Sequence, residues 1–160
     1  MSADTPNLIQ VELNINGQKQ QVVIPPNKTL LATLRENLYL TGAKPGCFNG
    51  DCGACTVMID ELPMKSCLML SVEVHEKKVT TIEGVKESPL QKAFIENFAF
   101  QCGYCTPGII MNCHALMLQN SNPNRETIIE WLESNICRCT SYEEIELAIN
   151  DVIKKSGYKS

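Results

Sequence analysis

Eight of the nine cysteines fall into two groups whose spacing suits metal ligation. The first group runs Cys47-x4-Cys52-x2-Cys55-x11-Cys67; the second runs Cys102-x2-Cys105, then 31 residues, then Cys137-x-Cys139. A triplet of this spacing with a remote fourth cysteine is the plant-type pattern for a 2Fe-2S cluster. Its setting agrees with that chemistry. Gly42, Pro45, Gly46, Gly50 and Gly53 break any regular element between Thr41 and Gly53. Glycines let backbone N–H groups turn toward sulfur, where their dipoles stabilise a negative cluster. Four thiolates also suit tetrahedral zinc, which usually takes two matched cysteine pairs rather than a triplet and a distant partner. The second group does consist of two pairs, so zinc stays open there. Its C-x-C half is short for a zinc knuckle, and the first group beside it favours a second iron–sulfur cluster.

The ninth cysteine, Cys113, lies on the expected inward face of a helix, where a thiol behaves as a small hydrophobe. His75 and His114 are the only histidines and accompany no nucleophile or carboxylate motif. Met69, Met111 and Met117 sit in apolar stretches and are expected to fill core space. Lys44 and Arg138 flank cysteines, where a cation would stabilise thiolates. No G-x-G-x-x-G, P-loop or Ser-His-Asp pattern is present, so the chain carries no evident site for nucleotide, flavin or substrate. On the iron–sulfur reading of the cysteines, the chemistry expected of it is electron transfer.

These groups must be held by a real fold. With 160 residues, 44% hydrophobic and 20% charged, the chain can bury a core, which excludes disorder. A net charge of −4 without a basic run argues against nucleic acid. Two oxidised clusters would take that charge to about −8, which burial in a larger complex would have to balance. No apolar stretch approaches the length of a membrane span. The first residues carry neither a secretory nor a twin-Arg signal, so the cytoplasm is expected. Thiols left unpaired by disulfides fit that reducing compartment.

Residues 8–15 alternate in polarity, Asn16-Gly17 offers a two-residue hairpin turn, and Gln18 to Ile24 reads as the returning strand. Thr29 is expected to cap a helix bearing Leu30, Leu31, Leu34 and Leu38. Thr56 to Ile59 and Val79 to Ile82 read as further strands, giving a small mixed sheet with one helix across it. After Gly84 the pattern turns helical. Ser88-Pro89-Leu90-Gln91 is a capping box before Leu90, Ala93, Phe94 and Phe98 on one face. Thr106-Pro107 starts a second helix, Asn124 to Asn135 holds a third, and Ser141-x-x-Glu144 caps a fourth. The class is α+β, with domains expected at 1–84 and 85–160.

Lys44-Pro-Gly-Cys-Phe-Asn-Gly-Asp-Cys-Gly-Ala-Cys-Thr-Val57, Gln101-Cys-Gly-Tyr-Cys-Thr-Pro-Gly108 and Cys137-Arg-Cys-Thr-Ser-Tyr142 resemble signature segments of one family. It is the iron–sulfur subunit of the xanthine dehydrogenase/aldehyde oxidoreductase family of molybdenum hydroxylases, and the resemblance runs from about Leu8 to Val152. It implies an N-terminal β-grasp ferredoxin-like domain and a C-terminal four-helix domain, each holding one 2Fe-2S cluster. It also implies a large molybdopterin-binding partner subunit, a medium FAD-binding one and assembly as a dimer of heterotrimers. The Gln matching Gln101 faces molybdopterin in that family. Electrons are then expected to pass from molybdenum to the Cys102/Cys105/Cys137/Cys139 cluster, to the Cys47/Cys52/Cys55/Cys67 cluster, and on to FAD. A purine or another N-heteroaromatic compound is the preferred substrate, with aldehyde and carbon monoxide open. A freestanding two-cluster ferredoxin and a zinc module are the rival readings. Two positions depart from the family pattern: Phe48 and Ser141 stand where it usually has Gly. Phe48 is expected to shield the first cluster from water, and Ser141 to cap the last helix.

Overall fold

A computed structural model describes residues 7–156 of the chain, with side chains through Lys155. The first six residues, on which the leader expectation rests, lie outside the described part.

Strands β1 (Ile9–Ile15) and β2 (Gln18–Ile24) form the expected hairpin, in register from Ile9 opposite Ile24 to Ile15 opposite Gln18. Asn16 and Gly17 both take positive φ, 53° and 78°, the conformation of a tight turn whose twist matches its strands. Thr29 then caps α1 (Leu30–Ala32), its Oγ accepting the Ala32 N–H at 3.2 Å, and the helix continues as a π-helical turn over Thr33–Asn37. Leu30, Leu31 and Leu34 are buried against the sheet, while Leu38 is only partly covered. A long loop leads to β3 (Thr56–Ile59), followed by β4 (Leu62–Lys65) and β5 (Lys78–Thr80). The sheet order is β2-β1-β5-β3-β4, with β5 parallel to β1 and antiparallel to β3.

One strand boundary differs from the sequence reading. The strand expected to reach Ile82 stops at Thr80, because the Asn16 side chain captures the next residue: its Oδ1 accepts the Thr81 N–H at 2.9 Å and its Nδ2 donates to Thr81 Oγ1 at 3.0 Å. Ile82–Gly84 then turns as a 3-10 helix.

The helical half contains α2 (Pro89–Glu96), α3 (Thr106–Gln119), α4 (Arg125–Leu132) and α5 (Tyr142–Ser156). The capping box forms as expected, Leu90 N–H donating to Ser88 Oγ and Ser88 N–H to Gln91 Oε1, both at 3.3 Å. Asn124 caps α4 through the Thr127 N–H at 2.9 Å, and Ser141 Oγ donates to the Glu144 carboxylate at the start of α5. Phe98 is not part of the inward face. The Ala99 N–H bonds back to Phe94 O, which places Phe98 in the left-handed region at φ 53° and turns its ring out, 80% exposed.

Helix α3 is buried on two sides, which its nearly continuous apolar sequence requires. Ile109, Ile110, Cys113, Leu116 and Met117 pack into the helical core with Leu90, Phe94, Ile128 and Ile145. Met111 and Ala115 face the other way and join Met58 of β3 and Val85, so the sheet and the helices share an interface. Of the remaining expected core methionines, Met69 packs partly buried on the sheet core.

Cys113 is 1% exposed, and burial pushes its thiol up to about 12. Cys113→Ser is expected to retain all bound iron and lower stability by about 1–3 kcal/mol, the penalty for burying a hydroxyl among apolar groups. Visible absorbance per chain and the thermal midpoint check the two halves of that expectation. Loss of colour would make Cys113 a ligand.

Candidate metal centres

The loop before β3 is held from outside. Arg35 donates to Thr41 O at 2.7 Å and Ala43 O at 2.8 Å, Lys44 Nζ to Thr41 O at 2.5 Å, and Gly42 N–H to Glu83 Oε1 at 2.7 Å. Lys44 is therefore committed to the loop backbone, whereas Arg138 is exposed. Within the loop Phe48, Gly50 and Gly53 take φ of 60°, 90° and 68°, and these reversals wrap the chain around the sulfurs. The Cys52 N–H donates to Cys47 Sγ at 3.3 Å. A Cβ on Gly46 would lie 2.5 Å from Cys52 Sγ, so that position needs glycine. Across the loop, Cys55 O accepts Ser66 Oγ at 2.7 Å and Ser66 N–H at 3.3 Å, which brings Cys67 beside Cys55.

The Cys52 N–H on Cys47 Sγ sets Cys47 beside Cys52, and the two Ser66 bonds to Cys55 O set Cys67 beside Cys55. Their electrostatics differ. Backbone N–H groups, led by those of Cys52 and Asn49, bring the Cys47 thiol down to about 7, whereas burial takes Cys67 up to about 11. The Phe48 side chain, expected to shield the first cluster, is 67% exposed.

In the second group Cys139 and Cys102, both exposed, lie with sulfurs 3.6 Å apart. Cys105 is the residue before α3, and burial drives its thiol up to about 12; the Tyr104 N–H lowers that of Cys102. Cys137 is fixed from both ends: its Sγ accepts the Thr140 N–H at 3.4 Å, and its own N–H donates to the Tyr142 hydroxyl at 3.2 Å. Gln101 is exposed beside Cys102, with Phe98, Phe100 and Tyr104 exposed nearby. His75 is exposed and His114 half-buried, and neither belongs to a cysteine group.

Each half thus gathers one of the two cysteine sets. Four thiolates are the ligand set of a 2Fe-2S cluster, and the residues present fit that group.

Sequence reading missed the residues that bind the two groups to each other. Lys65 Nζ donates to Ser134 O at 2.7 Å, Asn135 Nδ2 to Gly53 O at 3.0 Å, Ile136 N–H to Cys52 O at 2.9 Å, and Tyr104 OH to Pro45 O at 2.6 Å. Gly108 seats its Cα against Gly53 O, where a Cβ would overlap it. Only the run of polar residues before Cys137 hinted at such contacts.

Comparison with known proteins agrees with this geometry. Residues 13–81 match the 2Fe-2S iron–sulfur cluster binding domain family, and residues 81–150 match the 2Fe-2S binding domain family. The chain is 43% identical over 153 residues to the nicotinate dehydrogenase small FeS subunit of Eubacterium barkeri, covering 93% of this chain and 98% of that one. It superposes on quinoline 2-oxidoreductase from Pseudomonas putida 86 with a TM-score of 0.89 and 38% identity, over 92% of this chain and 94% of the other. The aldehyde oxidoreductase of Desulfovibrio desulfuricans gives a TM-score of 0.86 and 39% identity, over 90% of this chain but 17% of that longer one. With a cysteine set in each half and both domains matched in order, the chain belongs to the iron–sulfur subunits of the xanthine dehydrogenase/aldehyde oxidoreductase family, the electron-transfer subunits of oxidoreductase complexes.

Proposed function

We propose that this chain carries electrons from a molybdopterin centre in a large subunit to FAD in a medium subunit, through 2Fe-2S clusters held by Cys47, Cys52, Cys55 and Cys67 and by Cys102, Cys105, Cys137 and Cys139. Each cluster, when bound, takes up and returns one electron. The observation that carries the reading is one complete cysteine set in each half, with Cys52 N–H on Cys47 Sγ in one and the Cys102 and Cys139 sulfurs 3.6 Å apart in the other, each inside a matched 2Fe-2S domain. Each set of four would supply all the thiolates that a 2Fe-2S cluster takes. The ferredoxin-like domain is residues 1–84 and the helical domain 85–160, in keeping with the two separate apolar cores.

The exposure of Cys102 and Cys139, with Gln101 alongside, supports a helical-domain site that meets the molybdopterin. The Cys47 group then faces the flavin. A match to only 17% of a longer oxidoreductase chain supports function within a larger assembly rather than as a free ferredoxin. We take that assembly to be a cytoplasmic dimer of heterotrimers; no helix among the described residues is long and apolar enough to cross a membrane. An N-heteroaromatic substrate is the reading favoured by the relatives matched over nearly their whole length, which are named for nicotinate and quinoline.

The test uses the purified complex with Cys47→Ser in this chain. On adding substrate from an N-heterocycle panel, rapid-freeze EPR is expected to show the helical-domain signal reduced and the flavin still oxidised. Normal flavin reduction, or a helical-domain signal that never appears, would contradict the proposed order.

A further inference from the structure

Lys65 is the last residue of β4, two before Cys67 and in register with Thr56, the residue after Cys55. Although β4 is an edge strand, this side chain is half-buried, because its ammonium is held between the two halves of the molecule. Nζ donates to Ser134 O at 2.7 Å and to Thr56 Oγ1 at 3.3 Å. Thr56 is 2% exposed, and its hydroxyl donates in turn to Gly53 O at 2.7 Å, inside the Cys52-x2-Cys55 turn. Ammonium, hydroxyl and carbonyl form one hydrogen-bonded chain that ends between two cysteines, and each member polarises the next.

What Lys65 lacks is a carboxylate. Among the described residues it forms no ion pair, although Glu130 lines the same open cavity. An ammonium drawn half out of water costs free energy that two neutral acceptors return only in part. The compensation lies on the cysteine side. Burial lowers Lys65 from its ordinary range, and the Cys55, Cys52, Cys67 and Cys47 thiolates, in that order, oppose the drop. Those four are the whole of the first set. Lys44 is placed differently: it bonds Thr41 O and shares its charge with the Glu83 carboxylate.

We infer that the Lys65 ammonium raises the reduction potential of the cluster held by Cys47, Cys52, Cys55 and Cys67. The inference deepens the electron-transfer reading and rests on it. With four thiolates a 2Fe-2S cluster carries about −2 when oxidised and about −3 when reduced, so reduction adds a charge that a fixed cation favours. Salt would screen an exposed cation, but it screens one held half-buried much less. A higher potential at this site pulls electrons out of the helical-domain site, the direction that the proposed order needs. Each event transfers one electron, supplied in the complex by the partner's molybdenum centre, and no bond forms or breaks.

The test is a redox titration of the purified complex, followed by EPR, on native protein and on Lys65→Met, Lys65→Gln and Lys65→Arg. The signal to follow is the one that Cys52→Ser removes. In Lys65→Met its reduction equilibrium is expected to fall about tenfold, a drop of about 59 mV for one electron, while the helical-domain signal moves less. Lys65→Gln keeps a donor for Ser134 O but loses the charge, and is expected to show the same drop. Lys65→Arg keeps the charge and is expected to stay near the native midpoint. A native midpoint in an iron-replete Met or Gln variant, an equal shift of both signals, or as large a drop in Lys65→Arg as in Lys65→Met would overturn the inference. Loss of this cluster from both neutral variants would make Lys65 a residue of folding alone, and would overturn it too. Native complex lacking either EPR signal would instead overturn the electron-transfer reading beneath it.

Discussion

Gly108→Ala is expected to undock the two halves of the molecule and lower its thermal midpoint by roughly 4–8 °C, or about 2 kcal/mol. Helix propensity alone gives the opposite sign, since alanine in a helix is favoured over glycine by about 1 kcal/mol. Position decides against it here. A Cβ on Gly108 would overlap Gly53 O and come within 3.0 Å of Ala54 Cα, and both are backbone atoms that cannot swing aside. Gly53 O is already held by Asn135 Nδ2, by Thr56 Oγ1 at 2.7 Å and by Thr56 N–H at 3.1 Å, so a shift breaks several hydrogen bonds at once. Calorimetry reads the effect directly. A single transition at or above the native temperature would show that the close approach of α3 to the loop carries no stability.

Cys52→Ser is expected to remove the cluster of the ferredoxin-like domain and spare the helical one. About half the iron is lost, and one of the two EPR signals with it. The reasons are that no cysteine is shared between the groups and that the contact from Cys52 to Ile136 uses the backbone carbonyl, which serine retains. Loss of both signals together would mean that the two sites assemble as one cooperative unit through the 134–136 segment.

Most of the fold was legible where structure follows from local chemistry. Asn16-Gly17 selects its own turn, and Thr29 and Ser88 cap the helices they precede, because each effect is settled within four residues. The cysteine groups were legible for a related reason: spacing alone nearly dictates which sulfurs can meet. Strand β4 was harder to see, since Pro63 argues against a strand; at the edge of the sheet its missing N–H does no harm. Phe98 was misread because a helix end depends on one left-handed residue that periodicity cannot locate. Least legible were Lys65, Asn135 and Gly108. Their roles depend on partners far along the chain, Asn135 and Gly53 being 82 positions apart and Lys65 and Ser134 69. Such contacts exist only once both halves have folded. Phe48 belongs with them in part: its backbone takes the left-handed conformation in the loop, and its side chain is 67% exposed.

The measurement closest to the central claim is metal and acid-labile sulfide analysis of the purified chain, with EPR after reduction by dithionite. About four irons and four sulfides per chain, together with two distinct signals, are expected from two complete sets of four cysteines. Stoichiometric zinc, or about two irons with a single signal, would contradict it.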